Sequence, residues 1–165
     1  MNTRFSTVGD VAAVLARWLL GAIFIFMGMS KALHPVEFLK LVRAYELTQS
    51  PWLLNSVAGM LPWFEVFCGI LLLVGVGVRG SALLLILMLV PFTLVILRRA
   101  LAIQSESAIP FCAVKFDCGC GGGEVFVCRK LLENVLLILL AGWLLASRCQ
   151  KFCVRHHLMA GRAQL

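Results

Sequence analysis

Four long apolar runs constrain the fold of this chain more than any other feature of its sequence. They extend roughly over Val11 to Met29, Pro51 to Val74, Ser81 to Leu97 and Leu131 to Ala146. A helix needs roughly 20 residues to cross a hydrocarbon core of about 30 Å. Because the polar groups of a backbone in lipid must pair within the segment, each run predicts a membrane-spanning helix rather than a strand.

The composition agrees, since 61% of the residues are hydrophobic and only 14% are charged, which is typical of membrane proteins. Arg17 lies inside the first run and no small-x-small cleavage site follows it, so this run is predicted to be a mature helix and not a signal peptide. We therefore predict an all-α fold, an integral membrane four-helix bundle that forms a single domain over residues 1–165. The expected spans are about 11–31, 51–74, 81–99 and 129–147, followed by a basic tail over 148–165.

A fifth, shorter helix is predicted between the first two spans, from His34 to Glu46. Pro35 suits a first helical position. Apolar side chains fall on one side of this helix and charged side chains on the other. This pattern predicts an interfacial helix lying on the membrane surface.

Charged residues inside the spans predict an intramembrane polar site. Arg17, Gly21, Phe24, Gly28 and Lys31 share one face of the first helix, and Ala58, Pro62, Glu65 and Gly69 share one face of the second. Small residues let membrane helices approach closely, so the two faces are expected to meet and to place Glu65 near Arg17 or Lys31. A structural ion pair and a proton-transfer or ligand-binding role are both open.

Lys and Arg residues set the orientation of membrane proteins, but here they divide almost equally, seven against eight of the 15, between the two sides. We expect a multi-pass protein of the inner (cytoplasmic) membrane. Its termini are expected in the cytoplasm and both longer loops in the periplasm. The net charge of +7 is carried by residues that flank the spans, which predicts contact with anionic lipid headgroups and not with nucleic acid.

Four of the seven cysteines fall in the loop between the third and fourth spans. Cys112 and Cys128 frame it and are predicted to form a structural disulfide, which leaves Cys118 and Cys120 as an inner redox pair. A disulfide across one residue is strained, and strained disulfides exchange readily. Gly119 and residues 121–123, all glycine, supply the backbone freedom for such a closure. A purely structural bridge and an exchanging one are both open.

Metal binding is the alternative for these cysteines. The loop spacings do not match the paired C-x2-C ligands of zinc and iron–sulfur sites. A second group of soft ligands lies in the tail, where Cys149, Cys153 and either His156 or His157 would share a helical face. The other interpretation of the tail is a pair of juxtamembrane thiols beside a basic face that binds lipid headgroups. Neither a nucleophile–base pair nor a nucleotide-binding fingerprint is found in the sequence.

Several short segments together resemble the DoxX-like superfamily and, within it, the MauE branch of redox-associated membrane proteins. The matching segments are RWLLGAIF (17–24), GMSK (28–31), YEL (45–47), LPWFE (61–65) with Gly69, Arg79, CGC (118–120) and RKLLEN (129–134). Gly121 stands where the family pattern has Phe, and Cys112, Cys128 and the two tail cysteines are additions to that pattern.

The resemblance implies a four-helix bundle with a periplasmic cysteine loop. It also implies a role in maturing a disulfide-rich periplasmic dehydrogenase subunit beside a thioredoxin-like partner. Other DoxX-like proteins are membrane subunits of quinone-reducing complexes.

Three functional hypotheses follow. The first is thiol–disulfide exchange or maturation of a cysteine-rich or thioredoxin-like periplasmic partner through Cys118 and Cys120, with a polar site that suits a quinone headgroup. The second is a non-catalytic subunit of a larger, quinone-linked membrane oxidoreductase complex. The third is metal handling. No cofactor is specified by the sequence, and enzymatic activity is left open.

Overall fold

The fold was analysed in a computed structural model that describes residues 4–44, 50–107, 110–117 and 124–147. Within these residues the chain forms five α-helices: α1 (Arg4–Leu33), α2 (Pro35–Ala44), α3 (Pro51–Val74), α4 (Val78–Ser107) and α5 (Val127–Ala146). A 3₁₀ turn (Phe111–Ala113) and two short strands, β1 (Lys115–Asp117) and β2 (Glu124–Phe126), lie between α4 and α5. The expectation of an all-α membrane protein is met by the helical body.

Three helices are long and apolar enough to cross a membrane, over Val11–Leu33, Pro51–Val74 and Val78–Ser105. Helix α5 carries Arg129, Lys130 and Glu133 in its first two turns and does not meet the same criterion over the described residues. Many large apolar side chains point away from the protein core, among them Trp18, Phe26, Phe67, Leu87 and Leu139. Such an apolar surface is far larger than a soluble monomer exposes, and it suits contact with lipid.

The long helices pack in a closed order, with α1 on α3, α3 on α4, α4 on α5 and α5 on α1. Helix α3 ends at Gly75, whose positive φ of 81° lets its N–H bond the carbonyl of Leu71 before the chain turns into α4. The central core between the helices contains Leu20, Phe24, Leu72 and Leu85.

Helix α2 is present where a short helix was predicted, and its apolar residues pack against protein. Phe38 and Val42 are buried against Leu54 and Ala58 of α3, while Glu37 is exposed. The burial of this apolar side against α3 gives α2 a docking partner within the chain. Its position at the membrane surface stays a prediction.

Two boundaries differ from those predicted. Helix α4 continues two turns past Arg98 and Arg99, where the sequence predicted its end, because Ala100 packs in a small apolar cluster with Val114 and Val127. Cys128 belongs to the first turn of α5 and not to the loop.

The strands β1 and β2 were not predicted. They pair antiparallel in the register Lys115 to Phe126, Phe116 to Val125 and Asp117 to Glu124. The hairpin is therefore the one element that departs from an all-α fold in the described part of the chain. The six residues 118–123 connect its strands.

Candidate functional site

A buried ion pair joins α1 to α3. Lys31 Nζ donates hydrogen bonds to Glu65 Oε1 at 2.5 Å and to Oε2 at 2.7 Å. Lys31 is 2% exposed and Glu65 is 6% exposed. Because charges removed from water are costly unless they are paired, each of these side chains offsets part of the cost of burying the other inside the bundle.

The small residues of α1 and α3 bring the pair together. A Cβ placed on Gly28 would lie 2.7 Å from the carbonyl oxygen of Pro62 and 3.0 Å from Glu65 Cβ. Two turns away, a Cβ on Gly21 would lie 2.8 Å from the carbonyl oxygen of Gly69, and the reverse distance is also 2.8 Å. The predicted meeting of the two faces is confirmed. It is this backbone contact that lets a lysine and a glutamate bond directly.

Two aromatic rings flank the ammonium group. Lys31 Nζ lies 5.5 Å from the ring centroid of Phe38 on α2 and 5.6 Å from that of Phe92 on α4. Ring faces attract a cation within about 6 Å. The rings therefore stabilise Lys31 on the sides that Glu65 does not cover, and they attach α2 and α4 to the α1–α3 pair.

A second lysine acts on the same carboxylate. Lys130 on α5 is buried, and its charge interacts electrostatically with Glu65. Lys130 Nζ also lies 3.6 Å from Glu133 Oε2, and Arg129 Nε lies 3.0 Å from Glu133 Oε1. The interior near Glu65 therefore holds two cations and one carboxylate, while the compensating Glu133 is nearer the surface.

A hydrogen-bonded chain of neutral groups lies beside these charges. Asn134 Nδ2 donates to Thr93 Oγ1 at 3.1 Å, and Thr93 Oγ1 donates to the carbonyl oxygen of Leu89 at 2.7 Å. Asn134 is fully buried, and its Oδ1 has no hydrogen-bond partner in the described part of the chain. This chain links α4 to α5 at the level of Phe92, next to the ring that contacts Lys31.

Arg17 lies apart from the ion pair. It is 14 residues, about 21 Å along the axis of α1, from Lys31. Its side chain is buried at the opposite end of the molecule, where it lines a small cavity with Ala13, Val14, Val78, Arg79, Leu144 and Ser147. Of the three residues predicted to form one intramembrane polar site, the structure brings together Lys31 and Glu65 and leaves Arg17 elsewhere.

The structure joins Cys112 and Cys128 in a disulfide. This bond attaches the 3₁₀ turn to the first turn of α5 and encloses the β1–β2 hairpin. Cys128 precedes Asn134 by six residues, about 9 Å along α5. The disulfide therefore lies at the same end of the bundle as the Lys31–Glu65 pair, and Lys130, which acts on Glu65, is two residues from Cys128.

The remaining predicted site residues fall outside the described residues: Cys118, Cys120, Cys149, Cys153, His156 and His157. Cys68 is a free thiol buried in the core. Within the described ranges no group of three or more His, Cys, Asp or Glu side chains could hold a metal ion. A metal site in the tail stays a prediction from sequence.

Sequence reasoning missed Lys130 as a member of the polar site. Arg129 and Lys130 adjoin at the start of an apolar run, which is the usual pattern of residues that anchor a helix at the membrane interface. Lys130 is nevertheless four positions before Asn134 and shares with it the face of α5 that enters the interior. A helical-face comparison with Asn134 could have separated it from the exposed Arg129.

One comparison with known proteins gave a match. A family model described as methylamine utilisation protein MauE matches residues 9–147, which is most of the chain. Neither the curated proteins nor the solved structures gave a match.

Proposed function

The chain belongs to the MauE family of methylamine utilisation proteins, and we propose that it supports maturation of a periplasmic partner by thiol–disulfide exchange through its cysteine loop. The family consists of membrane proteins involved in the maturation of methylamine dehydrogenase. The three apolar helices likewise make this chain a multi-pass membrane protein. We propose both the exchange chemistry and the class of partner.

The observation that carries the proposal is the anchored hairpin whose two strands flank the C-x-C in sequence. Cys118 and Cys120 belong to the six-residue connection between β1 and β2, whose strands are paired up to Asp117 and Glu124. The Cys112–Cys128 disulfide closes the base of the same loop. The paired strands and the disulfide give the segment that carries Cys118 and Cys120 two fixed attachment points, Asp117 and Glu124. We propose that a thioredoxin-like or cysteine-rich partner meets this segment.

We propose that the buried charged residues support this role by stabilising the end of the bundle to which the loop is attached. Lys31, Glu65 and Lys130 are buried at the same end of the bundle as the disulfide. We propose that they hold α1, α3 and α5 in a single arrangement at that end of the bundle. A second open role for the pair is proton transfer, for which Lys31 and Glu65 are already in hydrogen-bond contact.

A quinone is the cofactor class that we propose for reoxidation. When bound, it would accept two electrons and two protons from reduced thiols. A shallow groove of about 280 Å³ fits its apolar part, since the walls are almost wholly apolar, and the residues that line it are Ser56, Val57, Met60, Leu61, Phe64 and Met88. Ser56 is the one polar residue among those that line the groove. Lipid extraction of the purified protein and its Ser56→Ala variant would show less quinone retained by the variant if this groove is the site.

The exchange proposal is tested by alkylating thiols with a mass-adding reagent before and after mild reduction of oxidised membranes. We expect Cys118 and Cys120 to be protected before reduction and labelled after it. Cys118→Ser and Cys120→Ser should abolish maturation of the partner, while Cys68→Ala, which changes a buried thiol in the core, should not. Free thiols at both positions, together with full activity of both serine variants, would reject the proposal.

We also propose four membrane spans, with α5 as the fourth, in the inner membrane, with cytoplasmic termini and a periplasmic cysteine loop. Ser50 lies on the loop side of the molecule, and Gly80 lies beside the α3–α4 turn, where an added Cβ meets no atom within 4 Å. With labelling of the parent protein subtracted as background, a membrane-impermeant maleimide should label Ser50→Cys in intact cells. Gly80→Cys should be labelled only after permeabilisation, and the reverse pattern would invert the orientation.

A second function, a non-catalytic subunit of a larger membrane oxidoreductase, is favoured by a different observation. Lys115 Nζ lies 4.9 Å from the ring centroid of Phe126, and this ring is 47% exposed on the hairpin. Aromatic residues are enriched in protein–protein contact surfaces, and the Phe126 ring is available for such a contact. Extraction in mild detergent followed by native electrophoresis decides the matter, since a chain that migrates alone argues against this function.

A further inference from the structure

The two sulfurs of the Cys112–Cys128 disulfide lie in unlike surroundings. Cys112 is exposed, in the middle of the 3₁₀ turn Phe111–Ala113. Cys128 is half-buried and is the second residue of the 20-residue helix α5. An incoming thiolate must approach a disulfide sulfur directly, so exposure favours attack on Cys112.

The position of Cys128 suits a leaving thiolate. The first N–H groups of a helix have no intrahelical partner, and together with the helix dipole they stabilise negative charge. Two cationic residues, Arg129 and Lys130, follow Cys128 directly. Glu133 would oppose a negative charge here, but its two carboxylate oxygens face Arg129 Nε at 3.0 Å and Lys130 Nζ at 3.6 Å. Exchange is faster when the departing thiol is the more stable thiolate.

Contacts other than the disulfide hold the two segments together. The N–H of Val127 donates to the carbonyl oxygen of Val114 at 3.1 Å. Ala100, Val114 and Val127 form a buried apolar cluster that joins the 3₁₀ turn region to α4 and α5. Because these contacts do not involve sulfur, we expect the two cysteines to stay near each other when the bond between them is broken, so that it can close again without refolding of the loop.

From these three observations we propose that Cys112–Cys128 is itself an exchanging disulfide, with Cys112 as the sulfur attacked and Cys128 as the leaving group. A thiolate of a dithiol partner forms a bond to Cys112 Sγ, and the Cys112–Cys128 bond breaks to give the Cys128 thiolate. The second thiolate of the partner then attacks the partner's own sulfur in the mixed disulfide and releases the Cys112 thiolate. The partner loses two electrons and becomes a disulfide, and the pair on this chain gains them.

This inference rests on the proposed exchange function of the loop, and it gives the outer pair a role that a structural bridge lacks. Cys112 becomes the point of entry for a partner's thiolate at the base of the hairpin. The loop and the first turn of α5 would then hold two exchanging pairs rather than one reactive pair within a static frame.

The test uses the full-length protein in its membrane and reduced glutathione as the attacking thiol. Free thiols are first blocked with an alkylating reagent. Glutathione is then added for short times, the reaction is stopped with acid, and newly released thiols receive an isotopically distinct alkyl group. Peptide mass spectrometry is expected to find glutathione on Cys112 and the second label on Cys128, at least tenfold over the opposite arrangement. Glutathione mainly on Cys128, or in equal amounts on both cysteines, overturns the proposal.

The same measurement separates failure of this inference from failure of the proposed function. If Cys118 and Cys120 react while Cys112–Cys128 stays intact, the loop exchanges thiols and only the inference fails. If neither pair reacts in the folded protein, both fail. In the Cys118→Ser/Cys120→Ser variant the reaction at Cys112 is expected to persist, because the attacked sulfur and the leaving group are both retained, and its loss would also overturn the inference.

Discussion

Lys31 and Glu65 bond across the interface of two antiparallel helices at the point where Gly28 brings the backbone of α1 against Pro62 of α3. The geometry explains why both charged residues can occupy apolar runs. The glycine removes the side chain that would separate the helices, and the resulting contact excludes water from both charges. Each side chain therefore determines whether the other is stable in the interior.

The first prediction concerns the charge of Glu65. Glu65→Gln leaves Lys31 buried without its counter-ion, and breaking a buried pair from one side costs about 3–5 kcal/mol. We expect a clear fall in the thermal midpoint of the purified protein in detergent. Glu37→Gln is the matched control, because Glu37 is exposed on α2, and it should leave the midpoint unchanged.

The pair itself can be replaced if both charges are removed together. Lys31→Met/Glu65→Leu should recover more than half of the stability lost in Glu65→Gln, because no isolated charge remains. If the double variant is as unstable as the single one, packing at this point matters more than charge pairing. If Glu65→Gln has no effect on the midpoint, the ion pair has no stabilising role.

The second prediction concerns the close contact between α1 and α3. In Gly21→Ala the new methyl group would lie 2.8 Å from the carbonyl oxygen of Gly69, which forces the helices apart, and overpacking of this kind costs about 1–3 kcal/mol. Gly59→Ala makes the same chemical change on α3, where an added Cβ meets no atom within 4 Å. It should be neutral or slightly stabilising, since alanine favours helix more than glycine does. Equal effects of the two variants in thermal unfolding would contradict the contact.

The meeting of α1 and α3 could be predicted from sequence because it depends on local periodicity. Residues spaced by four and seven positions share a helical face whatever the rest of the chain does, so Gly21, Gly28 and Lys31 were assigned to one side of α1. The same periodicity assigns Arg17 to that face. It gives the direction of a side chain around the helix axis and not its position along that axis. The separation of Arg17 from Lys31 follows from the rise of the helix alone.

Other parts of the fold depend on contacts that periodicity does not record. The strands β1 and β2 have three residues each, too few for an alternating pattern to stand out. The extension of α4 past Arg99 depends on Ala100 meeting Val114 and Val127, which are distant in sequence. Long-range packing of this kind decides where an element ends, and a single sequence holds little trace of it.

The third prediction concerns the hydrogen bond between α4 and α5. Thr93→Val removes the acceptor of the Asn134 Nδ2 bond and leaves a second unsatisfied atom on a fully buried amide, which costs about 1–3 kcal/mol. Thr93→Val/Asn134→Leu removes both polar groups and should be more stable than Thr93→Val alone. A double-mutant cycle of unfolding midpoints measures this, and strictly additive effects would show that the two side chains are not coupled.

The fourth prediction concerns the loop after reduction of the outer disulfide. Because the Val127–Val114 hydrogen bond and the apolar cluster of Ala100, Val114 and Val127 do not involve sulfur, the 3₁₀ turn is expected to stay docked on α5. Hydrogen–deuterium exchange should show the amide of Val127 still protected in Cys112→Ser/Cys128→Ser, with less than about a tenfold rise in its exchange rate, equivalent to less than about 1.4 kcal/mol.

Ala100→Asp is the contrasting variant for the same measurement, since it places a charge in the apolar cluster while leaving both cysteines in place. Burying an unpaired carboxylate is costly, so protection at Val127 should fall sharply even though the disulfide can still form. If instead the double serine variant loses protection and Ala100→Asp keeps it, the disulfide is what holds the turn on α5. A bond with that role would have to stay closed for the loop to keep its shape, so this outcome would favour a structural bridge over an exchanging one.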